Sequence, residues 1–318
     1  MSGKSKVLFV LLCLGLALEI PVTSSFSRVD TYPQGSSSLR VGRQDSTLLE
    51  IGQATKLRPV PAMIGDFKVV SFNIRFRGGE DLKKLAELLR NDTEIGEAVV
   101  LGLQEVDRNK KRTGNQNTVK LLAEELGMHY AWAAPPVRKP SQEEETGVAL
   151  LSPYPLTEVK RLVLPHEGPG GRRRAGIGAT IKVGDTNLRV YSVHSETRMS
   201  MDKKVGQMKA ALDDLATHPA EMPAIVMGDL NTWEADAGTR TVKLFKGAGF
   251  HTPFDGDSTF CQQILFVPLK LKLDWIWLRN IEAKAHGIDR QVKLSDHWPL
   301  WTRVSIKRAT RASAAATR

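Results

Sequence analysis

Eight apolar runs of strand length recur between residues 67 and 306: FKVVSFNI, AVVLGL, GVALLS, AGIGATIKV, NLRVYSVH, PAIVMG, LDWIWL and LWTRVSI. Short apolar runs of this kind read as strands. Helical spacing appears between some of them, at Leu82, Leu85, Leu88 and Leu89, at Val119, Leu122 and Leu126, and at Val205, Met208, Leu212 and Leu215. Many strands and fewer helices, not strictly alternating, predict a layered α/β protein with mixed sheets. One domain over residues 65–306 accounts for the pattern.

The ends of the chain differ in texture. Lys4 and Lys6 precede an unbroken apolar run at residues 7–18, and small residues follow it. That order predicts an export signal over residues 1–25, with a short uncleaved membrane anchor as the alternative. Cysteine usage is silent on compartment, since removal of the leader with Cys13 would leave Cys261 alone. Residues 26–64 carry no sustained periodicity and read as a linker or extended arm. Residues 307–318 read as a basic disordered tail. The net charge is +10, which favours polyanionic surfaces such as nucleic acid or anionic lipid.

Polar residues collect where the apolar runs end. Asn73 closes VVSFN, Glu105 follows VVLGLQ, His194 closes RVYSVH, and Asp229 and Asn231 follow PAIVMG. Asp274 begins DWIWL, and Asp296-His297 precede the last run. Singly, each has a plain structural explanation as a turn former, a solvated strand end or a core histidine. Jointly they form an inventory of carboxylates, two His and two Asn on the rigid ends of sheets. Hard cations such as Mg²⁺ take carboxylate oxygens and substrate phosphate. Phosphoester hydrolysis further needs a base for water and a group to hold developing charge. Asp229 suits the first need. His297 suits the second if a carboxylate raises its pKa. Zinc fits less well, because no closely spaced His/Cys cluster exists.

The ordered set SFNIRF, LGLQEVDR, TGVALLS, VYSVHSE, VMGDLNTW, LDWIWL and LSDHWPL resembles the endonuclease/exonuclease/phosphatase superfamily. The resemblance implies a four-layer sandwich, two facing mixed β-sheets flanked by helices, with the site at one end. It implies Glu105 as the main ligand of Mg²⁺ (or Mn²⁺), with Asn73 and Asp296 beside it. It implies Asp229 as the residue that orients or deprotonates water, and Asn231 and His194 as phosphate and transition-state contacts. His297 would face the phosphoryl group with Asp274 holding its ring. Two departures stand out: Val148 where many bacterial relatives carry Asn, and Val193-His194-Ser195 where they carry Thr-His-Leu. Arg174, and beside it Arg173, are candidates for phosphate steering, with a solvated loop as the alternative.

These features predict an exported, metal-dependent phosphodiesterase or nuclease that works without a covalent intermediate. A lipid-head-group phosphodiesterase or small-phosphoester phosphatase is the alternative, with membrane association through the N-terminus. A catalytically dead phosphate-binding module would show decayed site residues, and here all are present. Trp275, Trp277 and Trp298 could stack bases or simply pack beside the site. A monomer is the default expectation.

Overall fold

The computed structural model describes residues 47–60, 65–137 and 145–306. The expected leader and basic tail lie outside them. The chain runs through β1 (Leu49–Gln53), β2 (Asp66–Asn73), α1 (Gly79–Asn91), β3 (Val100–Arg108) and α2 (Thr118–Leu126). It continues through β4 (His129–Ala133), β5 (Glu145–Ser152), β6 (Thr157–Val163), β7 (Ala175–Val183) and β8 (Thr186–His194). Next come α3 (Met201–Leu215), β9 (Ala224–Asp229), α4 (Ala237–Gly247), β10 (Phe260–Ile264) and β11 (Val267–Leu271). The last strands are β12 (Asp274–Arg279), β13 (Ile281–Ile288) and β14 (Leu300–Ile306).

Two large sheets result, a seven-stranded one ordered β1-β4-β5-β3-β2-β14-β13 and a five-stranded one ordered β12-β9-β8-β7-β6. Both are mixed: β2–β3 and β8–β9 are parallel and their other pairings antiparallel. Three separate apolar clusters fill the three spaces of a four-layer sandwich. Leu82, Leu85, Leu89, Val119 and Leu122 pack α1 and α2 on the outer face of the first sheet. Val69, Val100, Leu150, Ile177, Val190 and Met227 fill the space between the sheets. Met208, Leu215, Phe245 and Trp277 seat α3 and α4 on the second sheet.

The helices begin and end for local reasons. Acidic Glu80 and Asp81 sit in the first turn of α1 and basic Arg90 in its last, each complementing the helix dipole. Asn117 caps α2 by accepting from the Lys120 N–H, and Gly127 in the left-handed region stops it.

One boundary shifts from the sequence expectation. Residues 49–53, read as part of a linker or extended arm, form an edge strand antiparallel to β4, Leu49 facing Ala133 and Gln53 facing His129. The run LEIGQ is too short and mixed to signal a strand alone; pairing with β4 makes it one. The tryptophans divide as well. Trp275 and Trp277 are buried and stacked on each other at 5.0 Å, with Phe245 stacked on Trp277, so they are core and not base platforms. Trp298 stays partly exposed beneath the Arg290 guanidinium. Among the described residues, no helix is long and apolar enough to cross a membrane.

Candidate active site

The two parallel pairings bring strand ends to the same edge of the sandwich. Asn73 lies opposite Gln104 in the first sheet, and His194 opposite Asp229 in the second, with Asp274 paired to Asp229 from the other side. Polar contacts join the sheets there: the Asn73 amide donates to Asp229 Oδ2 at 3.1 Å, and the Gln104 amide donates to the Ser192 hydroxyl at 3.0 Å.

Asp229 owes its place to the residue before it. Gly228 has φ +139°, and a Cβ there would stand 2.0 Å from the Val193 carbonyl oxygen. Only glycine lets β9 press this closely on β8. After the strand, Asp229 Oδ1 accepts from the Asn231 N–H at 3.0 Å, and Asn231 takes φ +53°, a conformation Asn tolerates. The Asn231 amide donates to the Ser195 carbonyl at 2.9 Å, and the buried Lys204 ammonium donates to the Asn231 carbonyl at 2.7 Å. The GDLN turn is thus tied on three sides.

Three donors converge on the other carboxylate oxygen. Besides the Asn73 amide, His194 Nε2 lies 3.5 Å and His297 Nε2 3.7 Å from Asp229 Oδ2. Burial pushes the Asp229 carboxyl above its usual range, and Asp274 and Glu105 add to the rise while His297 opposes it. Burial alone would push His297 down, but Asp274 and Asp229 outweigh it and hold the ring well above the usual imidazole value. Asp274 Oδ2 sits 2.9 Å from His297 Nδ1 and accepts from the Thr259 hydroxyl at 2.7 Å. That leaves His297 an imidazolium whose Nε2 faces the site. His194 is the opposite case. Burial and the neighbouring Arg174 push its pKa far down. Its Nδ1 faces the Arg174 guanidinium at 3.5 Å, so Nδ1 is the acceptor and Nε2 carries the proton.

Glu105 stands on a β-bulge, where the β3–β5 register slips between Gln104 and Val106. Its φ is +56°, costly for a residue with a Cβ. Burial raises its carboxyl, while His297, Arg174 and a hydrogen bond from Asn73 pull it back. It opens onto a cleft of about 400 Å³ lined also by Arg172, Arg173, Arg174 and Arg198. Asp296 lies further out, 3.1 Å from the Arg75 guanidinium. Asn73 links Glu105 to Asp229, and its oxygen accepts from the Arg75 N–H at 3.0 Å.

A cation could be held in two ways. Asp229, Asp274 and His297 offer ligand atoms all within 4.8 Å of one another. That set is already closed by its own ion pair, and an imidazolium ligates nothing. Glu105, with Asn73 and Asp296 near it, is a half-buried carboxylate not tied up in an ion pair of its own, and the three together offer oxygen donors. It fits a hard cation better.

The arginine run resolves residue by residue. Arg172 and Arg174 both bond Glu196, a fully buried carboxylate that also accepts from the Arg198 N–H. Arg174 thereby reaches the site through His194, whereas Arg173 turns to Glu167 at 2.9 Å and is not part of the cluster. Val148 packs in the core between the sheets and supplies no polar contact. Sequence reasoning missed Glu196, Thr259 and Arg75. Glu196 had a signal, standing two residues past His194 in VYSVHSE; Thr259 had none.

Comparison with known proteins gives the family and the fold. The profile of the Endonuclease/Exonuclease/phosphatase family matches residues 70–297, well over half of the chain. An endonuclease/exonuclease/phosphatase from Beutenbergia cavernae superposes with a TM-score of 0.61 at 18% identity, over 76% of this chain and 72% of that one. The catalytic domain of human Nocturnin with bound sulfate gives 0.58 at 17% identity, over 77% of this chain and 95% of that one. A Bacteroides vulgatus endonuclease/exonuclease/phosphatase gives 0.59 at 16% identity, over 76% and 100% of the two chains. At these identities the likeness is one of fold. No curated protein matches the chain.

Proposed function

The chain belongs to the endonuclease/exonuclease/phosphatase family of metal-dependent phosphoester-hydrolysing enzymes, and on that premise we propose that it cleaves phosphodiesters by direct attack of water. The observation that carries this reading is the surrounding of Asp229: a buried carboxylate, raised toward the pH of its medium, with one oxygen faced by Asn73, His194 and His297. A base is most useful when its pKa lies near the working pH. Asp229 receives the water proton. His297, charged and held by Asp274, offsets the negative charge that grows on the phosphoryl oxygens, and neutral His194 donates from Nε2. Asn231 keeps its amide beside them, anchored through Ser195. The Arg174–Glu196 pair fixes the His194 tautomer from behind.

The metal is Mg²⁺ or Mn²⁺ in this proposal, held by Glu105 with Asn73 and Asp296 alongside. When bound, such an ion polarises a phosphoryl oxygen as a Lewis acid. Export follows from the leader-like start of the chain and is part of the same proposal. The test is turnover of bis-p-nitrophenyl phosphate by purified protein. Chelation should abolish it and Mg²⁺ or Mn²⁺ restore it, and Glu105→Gln should raise the metal concentration needed by more than about tenfold. Turnover in chelator, or an unaffected Glu105→Gln, would sink the metal assignment.

A further inference from the structure

The β10–β11 hairpin stands apart from both large sheets as a two-stranded ribbon. Its two-residue turn is Leu265-Phe266, closed by the pair Ile264–Val267. Leu265, Phe266 and Val267 are 76%, 98% and 68% exposed, and they are half of the large apolar side chains left exposed among the described residues. Three consecutive bare apolar residues at the tip of a ribbon are not surface noise, because isolated exposed apolar residues are common and concentrated ones mark contact sites. The backbone strengthens the point. Leu265 has φ +55°, a turn position that Gly, Asn or Asp fills at lower cost.

The foot of the hairpin is bound to the catalytic loop. The Cys261 N–H donates to the Asp296 carbonyl at 2.8 Å and the Trp298 N–H to the Thr259 carbonyl at 2.7 Å. The Phe260 ring stands edge-on to His297, 5.0 Å between centroids. At a rise of about 3.3 Å per residue, the tip lies roughly 15 Å along the strand from that contact. A notch beside the foot is lined by Arg75, Arg77, Lys293, Cys261, Gln262 and Asp296; Asp296 pairs with Arg75 and Asp81 with Arg77, while Lys293 is exposed and outside these pairs. Lys270 stands exposed on β11 opposite Cys261. An apolar tip with cations at its base matches a surface that is anionic outside and hydrocarbon within.

We infer that the β10–β11 hairpin inserts its Leu265–Phe266–Val267 tip into an anionic lipid surface, Lys270 and Lys293 at its foot meeting the head groups. This rests on the phosphodiesterase reading only for its consequence, that the site faces phosphodiesters of lipid head groups.

The test replaces the tip without unfolding it. Leu265→Gly with Phe266→Asn puts glycine at the positive-φ first turn position and a polar residue at the second, a pair that two-residue hairpins favour, so the ribbon stays while its two most exposed apolar residues go. The full chain should sediment with phosphatidylcholine vesicles containing phosphatidylserine, and the double variant should do so at least about tenfold more weakly. Hydrolysis of bis-p-nitrophenyl phosphate should be unchanged. Phe266→Trp supplies a readout that the N-terminal apolar run does not affect: its emission should be quenched by brominated acyl chains beyond the quenching of the parent protein. Equal vesicle binding by the double variant, or no added quenching, overturns the inference. So does a loss of DNA binding in the double variant with vesicle binding intact, which would make the hairpin a nucleic-acid contact. Absence of diester hydrolysis in the parent protein would overturn the catalytic reading and leave the vesicle result standing.

Discussion

Asp229 and Asp214 are both buried aspartates beside the second sheet, and their surroundings could hardly differ more. Asp214 Oδ2 takes hydrogen bonds from Arg189 and the Tyr191 hydroxyl at 2.7 Å each, and Lys160 lies 2.7 Å from Oδ1. Burial would push its carboxyl up, but these three partners hold it down at about 2. Asp229 has an amide, a backbone N–H and two imidazoles at longer range, and its carboxyl goes up. One carboxylate is saturated with donors and serves the fold. The other is left under-compensated, at a cost to stability, and that deficit is what a base or a metal-dependent site exploits.

The largest effect that would break this contrast is on turnover. Asp229→Asn keeps the shape and removes the proposed base, so kcat for bis-p-nitrophenyl phosphate should fall by about 10³-fold or more. The urea midpoint should hold or rise, since an under-compensated buried charge has gone. A variant with residual activity near that of the parent would remove Asp229 from the mechanism.

Asp214→Asn should do the reverse. It strands the buried Arg189 guanidinium, 1% exposed, and should cost about 3 kcal/mol in urea unfolding. Turnover per folded molecule should stay within about twofold by the same reasoning, because no site residue contacts Asp214. Loss of kcat without loss of stability would contradict the division of labour.

The smallest effect is the pH dependence of stability. The folded Asp214 value lies below the ordinary one, so its contribution is complete above about pH 4 and fades as pH falls toward about 2. Allowing for solvent screening near the exposed Lys160, it amounts to about 1–2 kcal/mol. Comparing acid unfolding of the parent with that of Asp214→Asn should expose it as a shallower slope in the variant. Identical slopes would mean that Asp214 is not held down.

Much of this was legible along the chain. Continuous apolar runs such as FKVVSFN and PAIVMGD announce strands, and both prove to be inner strands of the sandwich. The leucines at 82, 85 and 89 announce a helix seated on a sheet, and α1 buries them. The strand-end residues Asn73, Glu105, His194, Asp229, Asn231, Asp274 and His297 do converge at one edge. Local pattern suffices for these because a period and a terminus are properties of neighbouring residues. What failed locally was β1, whose five residues are a strand only through pairing with β4.

The amino-acid order by itself determined the layers, the strand ends and the chemical inventory, since periodicity and side-chain identity travel with the chain. Protonation and reach were decided only in three dimensions. Asp229 and Asp214 are the same residue, and burial with distant partners separates their pKa values. Arg173 and Arg174 are neighbours, yet Glu167 claims one and Glu196, from beyond β8, claims the other. The tip of the β10–β11 hairpin reads as one more apolar stretch in the sequence, and only folding shows that nothing covers it. Electrostatics and exposure depend on what surrounds a group, and tertiary structure alone sets the surroundings.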